Sequence, residues 1–485
     1  KIAEFIGAGA LSPFGFDPQA VATGYSIDSR TLKPGDLYFA VIGERLDGHD
    51  YVDDALAAGA VAAVVSREQA LRYSETAKLL VVEDTLQALQ SLGTAVRKLW
   101  ATLPPSSLSR RMIAVTGSAG KTTTKEALAK VLSTQLHVLK SEGNLNNHFG
   151  LPMQLLRLEP EHDVAVVEMG MSHSGEIAAL ARIAQPEIGL VTCVAPVHLG
   201  FFESVAGIAR AKYELIQGLP PGGVAVLNAD DEYVSQFGRD FPGKVITFAI
   251  HHPANVRAEN IHHHGQDGAT FQVVVGGASV PARLPLLGEH NIYNALAAIA
   301  AALECGVPLD AAVAALLLLA APDKRGQILD VNGVTVINDC YNSNPKALDS
   351  MVDALAAILP ARQEGDSPSG LRIVVAGEML ELGHASAELH RNSGRHMAEK
   401  KIDVLLGVRG DACEMVAAAR QAGVDAKYLE TPEAAGNWLA ENARAGDVVL
   451  LKASRGVRLE QALETWTKHT PQERKVPGSG PKFQQ

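Results

Sequence analysis

Short apolar runs recur along the chain, and the stretches between them carry helical spacing. The runs "DLYFAVIG" from Asp36, "AVAAVVS" from Ala60 and "LLVVE" from Leu79, set between glycine turns, predict strands of a small first region ending near Glu83. A helix pattern follows from Asp84 to Trp100, then a proline and serine linker, "LPPSSLS". Beyond it "RMIAVT" (Arg111 to Thr116), "DVAVVEMG", "IGLVTCV" and "GGVAVLN" alternate with helix-like segments, the rhythm of a parallel α/β sheet. A break at "AAPDKRGQ", Ala320 to Gln327, opens a third region. There "GVTVIND", "LRIVVAGEM", "KIDVLLGV" and "DVVLLKAS" alternate with alanine-rich helical stretches and predict a second doubly wound sheet. The closing "QERKVPGSGPKFQQ" is polar and aperiodic, as in a disordered tail or cloning remnant. The expected layout is 1–83, 84–319, 320–470 and a tail at 471–485.

Length agrees with several cores, because 485 residues exceed what one usually serves. A net charge of -11 without a long basic run argues against nucleic acid and suits an enzyme. Cys193, Cys305, Cys340 and Cys413 are scattered and form no C-x-x-C pair, so neither a disulfide framework nor a zinc site is expected, and a cytoplasmic location is. The apolar run "AAVAALLLLAA" from Ala311 falls short of the roughly 20 residues that span a bilayer, so no membrane insertion is expected. The amino end, with Glu4 and no long apolar centre, does not read as a secretory signal.

Candidate chemistry begins at "AVTGSAGKTTTKEAL", Ala114 to Leu128. The common phosphate-loop pattern would place a glycine where Val115 stands, so the strict motif fails. The physics still favours phosphate. A strand, a turn holding Gly117, Ser118, Ala119 and Gly120, and a helix start follow in order, and a helix amino terminus attracts anions. Lys121 brings a cation to the outer phosphates, the Thr122 hydroxyl suits magnesium, and Thr123 completes the G-K-T-T stretch as a further nucleotide-binding residue. Glu168 closes the run "VAVVE", where an acid can hold a metal beside bound phosphate. His198 follows a neighbouring strand, as a metal ligand or a structural histidine.

Lys212 falls on the helical face marked by Val205, Ile208, Ala209, Leu215 and Ile216. Two readings stay open: an ammonium that snorkels to water, or a desolvated amine of lowered pKa that takes up carbon dioxide as a carbamate. Asn291 and Asn294 open the apolar helix "GEHNIYNALAAIAAAL", as a cap or as amides that read adenine. "INDCYNSNP" ends a strand at Asp339, with Asn344 and Pro345 as cap and first turn of a helix, leaving Asp339, Tyr341 and Asn342 exposed at a strand end.

Together "SIDSRTLKPGDLYFAVIGERLDGHDYVDDALAAGA", "TGSAGKTTTK", "SEGNLNNHFGLP", "VVEMGMS", "ARAKYEL", "VLNADD", "GEHNIYNALAA", "INDCYNSNP", "GEMLELG" and "LLKASRG" make nearly the whole chain resemble the ATP-dependent Mur ligases of peptidoglycan synthesis. That family's phosphate loop lacks the early glycine. The resemblance implies a small α/β amino-terminal domain for a uridine nucleotide, a central P-loop parallel-sheet ATPase domain and a Rossmann-like carboxyl-terminal domain, in a monomer. It implies ATP and magnesium, addition of D-alanyl-D-alanine to UDP-N-acetylmuramoyl-tripeptide through an acyl phosphate, and a carbamylated Lys212.

Carried over residue by residue, Lys121 and Thr122 serve phosphate and metal, Glu168 and His198 serve magnesium, and Asn291 and Arg325 contact ATP. Ser29 and Arg30 lie in the uridine-nucleotide motif and Asn144 and Asn146 in the acceptor segment, while Asp339, Tyr341, Asn342 and Lys452 serve the dipeptide or domain closure. His148 stands where an acid is common, and Glu378 where aspartate is. The alternatives are an amino-acid-adding Mur ligase, folylpolyglutamate synthase, or a P-loop switch. A "DNPR"-like signature, N-K-x-D and an LSGGQ-like stretch are all missing from the sequence.

Overall fold

The structure is a computed structural model that describes residues 1–8, 19–74, 76–104, 110–358 and 370–469. The expected tail and most of the proline and serine linker lie outside them. The described chain builds three sheets within two compact units, one of Lys1–His262, Ala269–Pro285 and His290–Leu319, the other of His263–Gly268, Leu286–Glu289 and the chain from Ala320 on.

In the first unit, β1 (Gly24–Ser26), β2 (Asp36–Phe39), β3 (Ala62–Ser66) and β4 (Leu79–Val82) pair in parallel and in chain order. The sheet is covered on both faces, which is why its strands read as unbroken apolar runs. Leu37, Phe39, Val64 and Leu80 face one cluster, and Tyr38, Ala63, Val65 and Leu79 the other. Of the helices, α1 (Ile2–Phe5), α2 (Val52–Ala57) and α3 (Arg67–Ala70) are short, and α4 (Thr85–Thr102) is long. Asp84 caps α4 by accepting from the Gln87 N–H at 2.9 Å. Ala88, Leu89 and Leu92 of α4 join the first sheet's core, whereas Trp100 packs in the second.

The second sheet has nine strands in the order β13-β12-β11-β10-β9-β8-β5-β7-β6. They are β5 (Arg111–Thr116), β6 (Val138–Lys140), β7 (Val164–Glu168), β8 (Ile188–Val191), β9 (Val224–Asn228), β10 (Lys244–Ala249), β11 (Val256–His263), β12 (Ala269–Val275) and β13 (Ala278–Leu284). From β6 to β11 all pairs are parallel. An antiparallel β12–β13 hairpin extends the edge, turning on Gly276 (φ 54°) and Gly277 (φ 89°), the positive-φ pair that a two-residue turn demands. Its helices are α5 (Lys121–Leu132), α6 (Gly150–Leu155), α7 (Glu176–Ala184), α8 (Val205–Gln217), α9 (Glu289–Glu304) and α10 (Leu309–Ala315). After β5 the chain goes to one side of that strand (β6, β7) and then to the other (β8, β9). The carboxyl end of β5 is therefore a switch point, the position at which open α/β sheets bind ligands.

In the second unit β14 (Gln327–Val331), β15 (Val334–Asn338), β16 (Arg372–Gly377), β17 (Val404–Val408), β18 (Asp425–Leu429) and β19 (Val448–Lys452) pair in the order β14-β15-β19-β16-β17-β18, parallel except for the β14–β15 hairpin. Separate cores lie on the two faces, one gathering α11 (Pro345–Ile358), α12 (Ser386–Glu399) and α13 (Ala412–Gln421), the other α14 (Pro432–Asn442) and α15 (Glu460–His469). This is the doubly wound arrangement expected from the strand rhythm. Asn344 accepts from the Ala347 N–H at 2.9 Å, as expected of the cap of α11.

Candidate active site

Val115 is wholly buried in β5, because the strand runs on to Thr116 and the turn begins only at Gly117. Gly117 has φ 149°, and a Cβ there would sit 1.8 Å from the Thr192 hydroxyl. Gly120, at φ 81°, caps α5 without a side-chain bond, and its Cβ would lie 2.4 Å from Asn294 Oδ1. Both glycines are thus required by close approach as well as by conformation. Thr192 donates to the Ala119 carbonyl at 2.6 Å, and the Ser118 N–H donates to the Cys193 carbonyl at 2.8 Å, so the end of β8 shapes the loop. Ser118 Oγ accepts from the Ala195 N–H at 2.9 Å. Lys121 curls back and donates to the Gly117 carbonyl at 2.8 Å.

Glu168 is where several elements meet. It is buried at the carboxyl end of β7, accepting from the Thr122 hydroxyl at 2.9 Å on one oxygen and from Asn146 Nδ2 at 2.8 Å on the other. The phosphate loop and the segment "EGNLNN" therefore share one carboxylate. The Asn144 carbonyl accepts from the Asn146 N–H at 2.8 Å, and the Asn146 carbonyl from the Gly170 N–H at 2.9 Å. His148 is exposed, its ring against Phe149 with centroids 4.1 Å apart.

Lys212 does not snorkel: only 2% of the residue is exposed. Burial pushes its pKa down to about 7, and the neighbouring Lys121 ammonium pushes the same way. His198 lies in the loop after β8, half-buried at φ 56°, its carbonyl accepting from the Phe201 and Phe202 N–H groups. Asn291 falls inside the first turn of α9, not at its cap. Asn294 Nδ2 donates to Asn291 Oδ1 at 3.0 Å while its own oxygen accepts from the Thr124 hydroxyl at 3.1 Å. Through Asn294, α9 is buckled to α5. Tyr293 donates from the same turn to Asp230, whose carboxylate also takes the N–H groups of Ile250, His251 and His252 and has its pKa lowered to about 2, these bonds outweighing partial burial.

At the end of β1, Ser29 and Arg30 lie in a turn, and Asp28 holds the exposed Arg30 guanidinium in a two-pronged grip, at 2.9 and 2.7 Å. In the second unit, Lys452 is buried at the end of β19 and donates to Asp339 Oδ2 at 2.5 Å and to the Asn342 carbonyl at 3.1 Å. The Arg325 guanidinium lies over the Tyr341 ring, 3.9 Å from its centroid. Glu460, missed in the sequence, accepts from Arg455 at 2.8 Å and Lys324 at 3.3 Å. Glu378 fills the space over Gly410, where a Cβ would lie 2.1 Å from its carboxylate, and accepts from the Asp411 N–H. The first unit thus gathers Thr122, Asn146 and Glu168, with Lys121 and Lys212 near each other, and the second gathers Arg325, Tyr341, Asp339 and Asn342 in its own loops with Lys452 at the end of β19.

Three family models match: Mur ligase family, catalytic domain, over residues 21–97; Mur ligase middle domain, over 115–302; and Mur ligase, glutamate ligase domain, over 324–455. The UDP-N-acetylmuramoyl-tripeptide--D-alanyl-D-alanine ligase of Escherichia coli (strain K12) is 39% identical over 79% of this chain and 80% of its own. A crystal structure of MurF from Acinetobacter baumannii is similar at a TM-score of 0.83 and 31% identity, covering 96% of this chain and 98% of that one. The MurF ligase of Thermotoga maritima, solved in complex with ADP, gives 0.77 and 27%, covering 94% and 99%. With matches that run from the first sheet through the last, and likeness over most of both chains at once, the chain belongs to the Mur ligase family.

Proposed function

We propose that this chain is an ATP-dependent ligase that joins D-alanyl-D-alanine to UDP-N-acetylmuramoyl-tripeptide in peptidoglycan precursor synthesis. The observation that carries this reading is Glu168, bonded at once to Thr122 of the phosphate loop and Asn146 of the acceptor segment. A group shared in that way suits a reaction in which nucleotide and acceptor exchange a phosphoryl group. The Escherichia coli relative is named for dipeptide addition, which disfavours the amino-acid-adding alternative, and a switch has no use for an acceptor segment.

An amine does not attack a carboxylate, so the acid must first be activated. A terminal carboxylate oxygen of the tripeptide attacks the γ-phosphorus of ATP, ADP leaves, and an acyl phosphate forms. The dipeptide amine then adds to the acyl carbon, phosphate leaves with that oxygen, and the amine proton passes to solvent. The first turn of α5, uncapped by any side chain, presents its backbone N–H groups to the phosphates, and Lys121 offsets their charge. Asn291 is turned by Asn294 for the base, Arg325 serves the nucleotide, and Ser29 and Arg30 serve the uridine nucleotide. Asp339, Tyr341, Asn342 and Lys452 serve the dipeptide.

The residues present fit a magnesium ion: a hydroxyl and a carboxylate, both hard oxygen donors, meet at 2.9 Å. Among the described residues no three His, Cys, Asp or Glu side chains converge. Thr122 and Glu168 would hold the ion, with His198 and a carbamylated Lys212 as further donors, and when bound it supplies charge neutralisation at the transferring phosphoryl group. No described helix is long and apolar enough to cross a membrane, and a cytoplasmic monomer is part of this reading. The test is product mass. The enzyme with ATP should extend UDP-N-acetylmuramoyl-tripeptide by D-alanyl-D-alanine, and equal extension by free amino acids would refute the assignment.

A further inference from the structure

Lys125 is a buried cation that the reaction above does not use. It lies on α5 one turn beyond Lys121, 1% exposed, in a helix that also buries Ala127, Leu128 and Val131. Burying an ammonium carries a large desolvation cost unless it is closely paired, and an apolar side chain would serve the core at least as well. Its compensation is specific. Nζ donates to the Ser141 carbonyl at 2.6 Å and lies 3.2 Å from the Glu126 carboxylate, which also binds Lys140. Ser141 is the first residue after β6 and the root of the segment that carries Asn146.

Ser141 leads directly to Glu168. Its hydroxyl accepts from the Glu168 N–H at 3.2 Å, and its N–H donates to the Val166 carbonyl at 2.9 Å. The links close a ring: α5 carries Lys125 and Thr122, Lys125 holds Ser141, Ser141 holds the backbone of Glu168, and the Glu168 carboxylate returns to Thr122. A second path runs from Ser141 along the segment to Asn146 and back to the same carboxylate. Slack at Ser141 would loosen both grips on Glu168 together.

We infer that Lys125 is a positioning residue: through Ser141 it sets where the Glu168 carboxylate stands relative to the Thr122 hydroxyl, and so tunes the magnesium-nucleotide site. The inference rests on the metal reading above. Titration calorimetry of the whole chain with ADP, with and without magnesium chloride, separates the two. If magnesium does not tighten ADP binding to the unaltered chain, the metal reading itself fails.

Given that gain, Lys125→Met should lose about tenfold of it, the lower end of what outer groups around a metal contribute, while metal-free ADP affinity stays within about twofold. Ser141→Ala should lose a similar share, and the double variant little more than either single one, because both act along one path. A Lys125→Met chain that keeps the magnesium gain, or loses metal-free and metal-dependent affinity in equal proportion, overturns the inference. Should Lys125→Met fail to fold, Ser141→Ala decides alone, and an intact gain there overturns it equally.

Discussion

Withdrawing dissolved carbon dioxide at constant pH should silence this enzyme, and the reason lies in the environment of Lys212. An ordinary lysine, with its pKa at 10.5, is about 0.1% neutral at a pH of about 7.5; with the pKa held at about 7 the neutral share is about three quarters, a gain of roughly 750-fold. Burial is the main cause and the Lys121 ammonium adds to it. On the proposed carbamate reading the neutral amine would add to carbon dioxide and release one proton, replacing a repelled cation beside Lys121 by an anion. The sign for stability follows. Between about pH 7 and 10.5 the unfolded chain holds a proton on Lys212 that the unmodified folded chain lacks, so stability rises with pH across that window. Phosphate release in gas-purged buffer should fall at least tenfold and return slowly when bicarbonate is restored. Protein exposed to carbon-13-labelled carbon dioxide should show a carbamate resonance that is absent from Lys212→Ala. Full turnover in purged buffer together with no such resonance would refute the reasoning.

Gly120→Ala should weaken ATP binding at least tenfold and lower stability by about 1–3 kcal/mol, since the new Cβ meets Asn294 at 2.4 Å and φ is 81°; nucleotide titration and urea unfolding measure the two. Asp339→Ala strands the buried Lys452 ammonium and should cost about 3–5 kcal/mol, whereas Asp339→Ala with Lys452→Met should recover much of it, as a double-mutant cycle in urea would show. His390 is buried and neutral, accepting from the Met379 N–H at 3.0 Å and donating to the Ser386 carbonyl at 2.8 Å, with burial holding its pKa below 6.5. The folded chain resists the proton that the unfolded chain accepts. Its contribution to stability is therefore full above pH 6.5 and declines as pH falls below that value, and His390→Gln should flatten the decline in urea midpoints.

The chemistry that lies close together along the chain was legible in the sequence. Lys121, Thr122 and the glycines between Thr116 and Lys121 sit within one strand, turn and helix, so spacing alone places them. Glu168 followed from its position at a strand end. Thr192, Asn228 and Asp231 did not, because they shape the phosphate loop and the end of β8 from other strand ends, through bonds such as Asn228 Nδ2 to the Thr192 carbonyl at 3.0 Å and the Val194 N–H to Asp231 at 3.0 Å. Helical spacing put Lys212 on the packed face but carries no measure of depth, which is what decides against snorkelling.

Two edge hairpins went unread although their turns, Gly276–Gly277 and Asn332–Gly333, are strong signals. Pro281 in β13 and the short alternation of β14 hid the flanking strands. Asn291 was read as cap or base reader. The helix starts at Glu289, two residues earlier, which excludes the cap.

The central claim is that the acid is activated by direct attack of its own oxygen on the γ-phosphorus. UDP-N-acetylmuramoyl-tripeptide carrying oxygen-18 at both oxygens of its terminal carboxylate, turned over with ATP and D-alanyl-D-alanine, tests it by mass analysis of the phosphate released. The account predicts one labelled oxygen in every phosphate formed. Phosphate free of label, with the amide product still made, would contradict it.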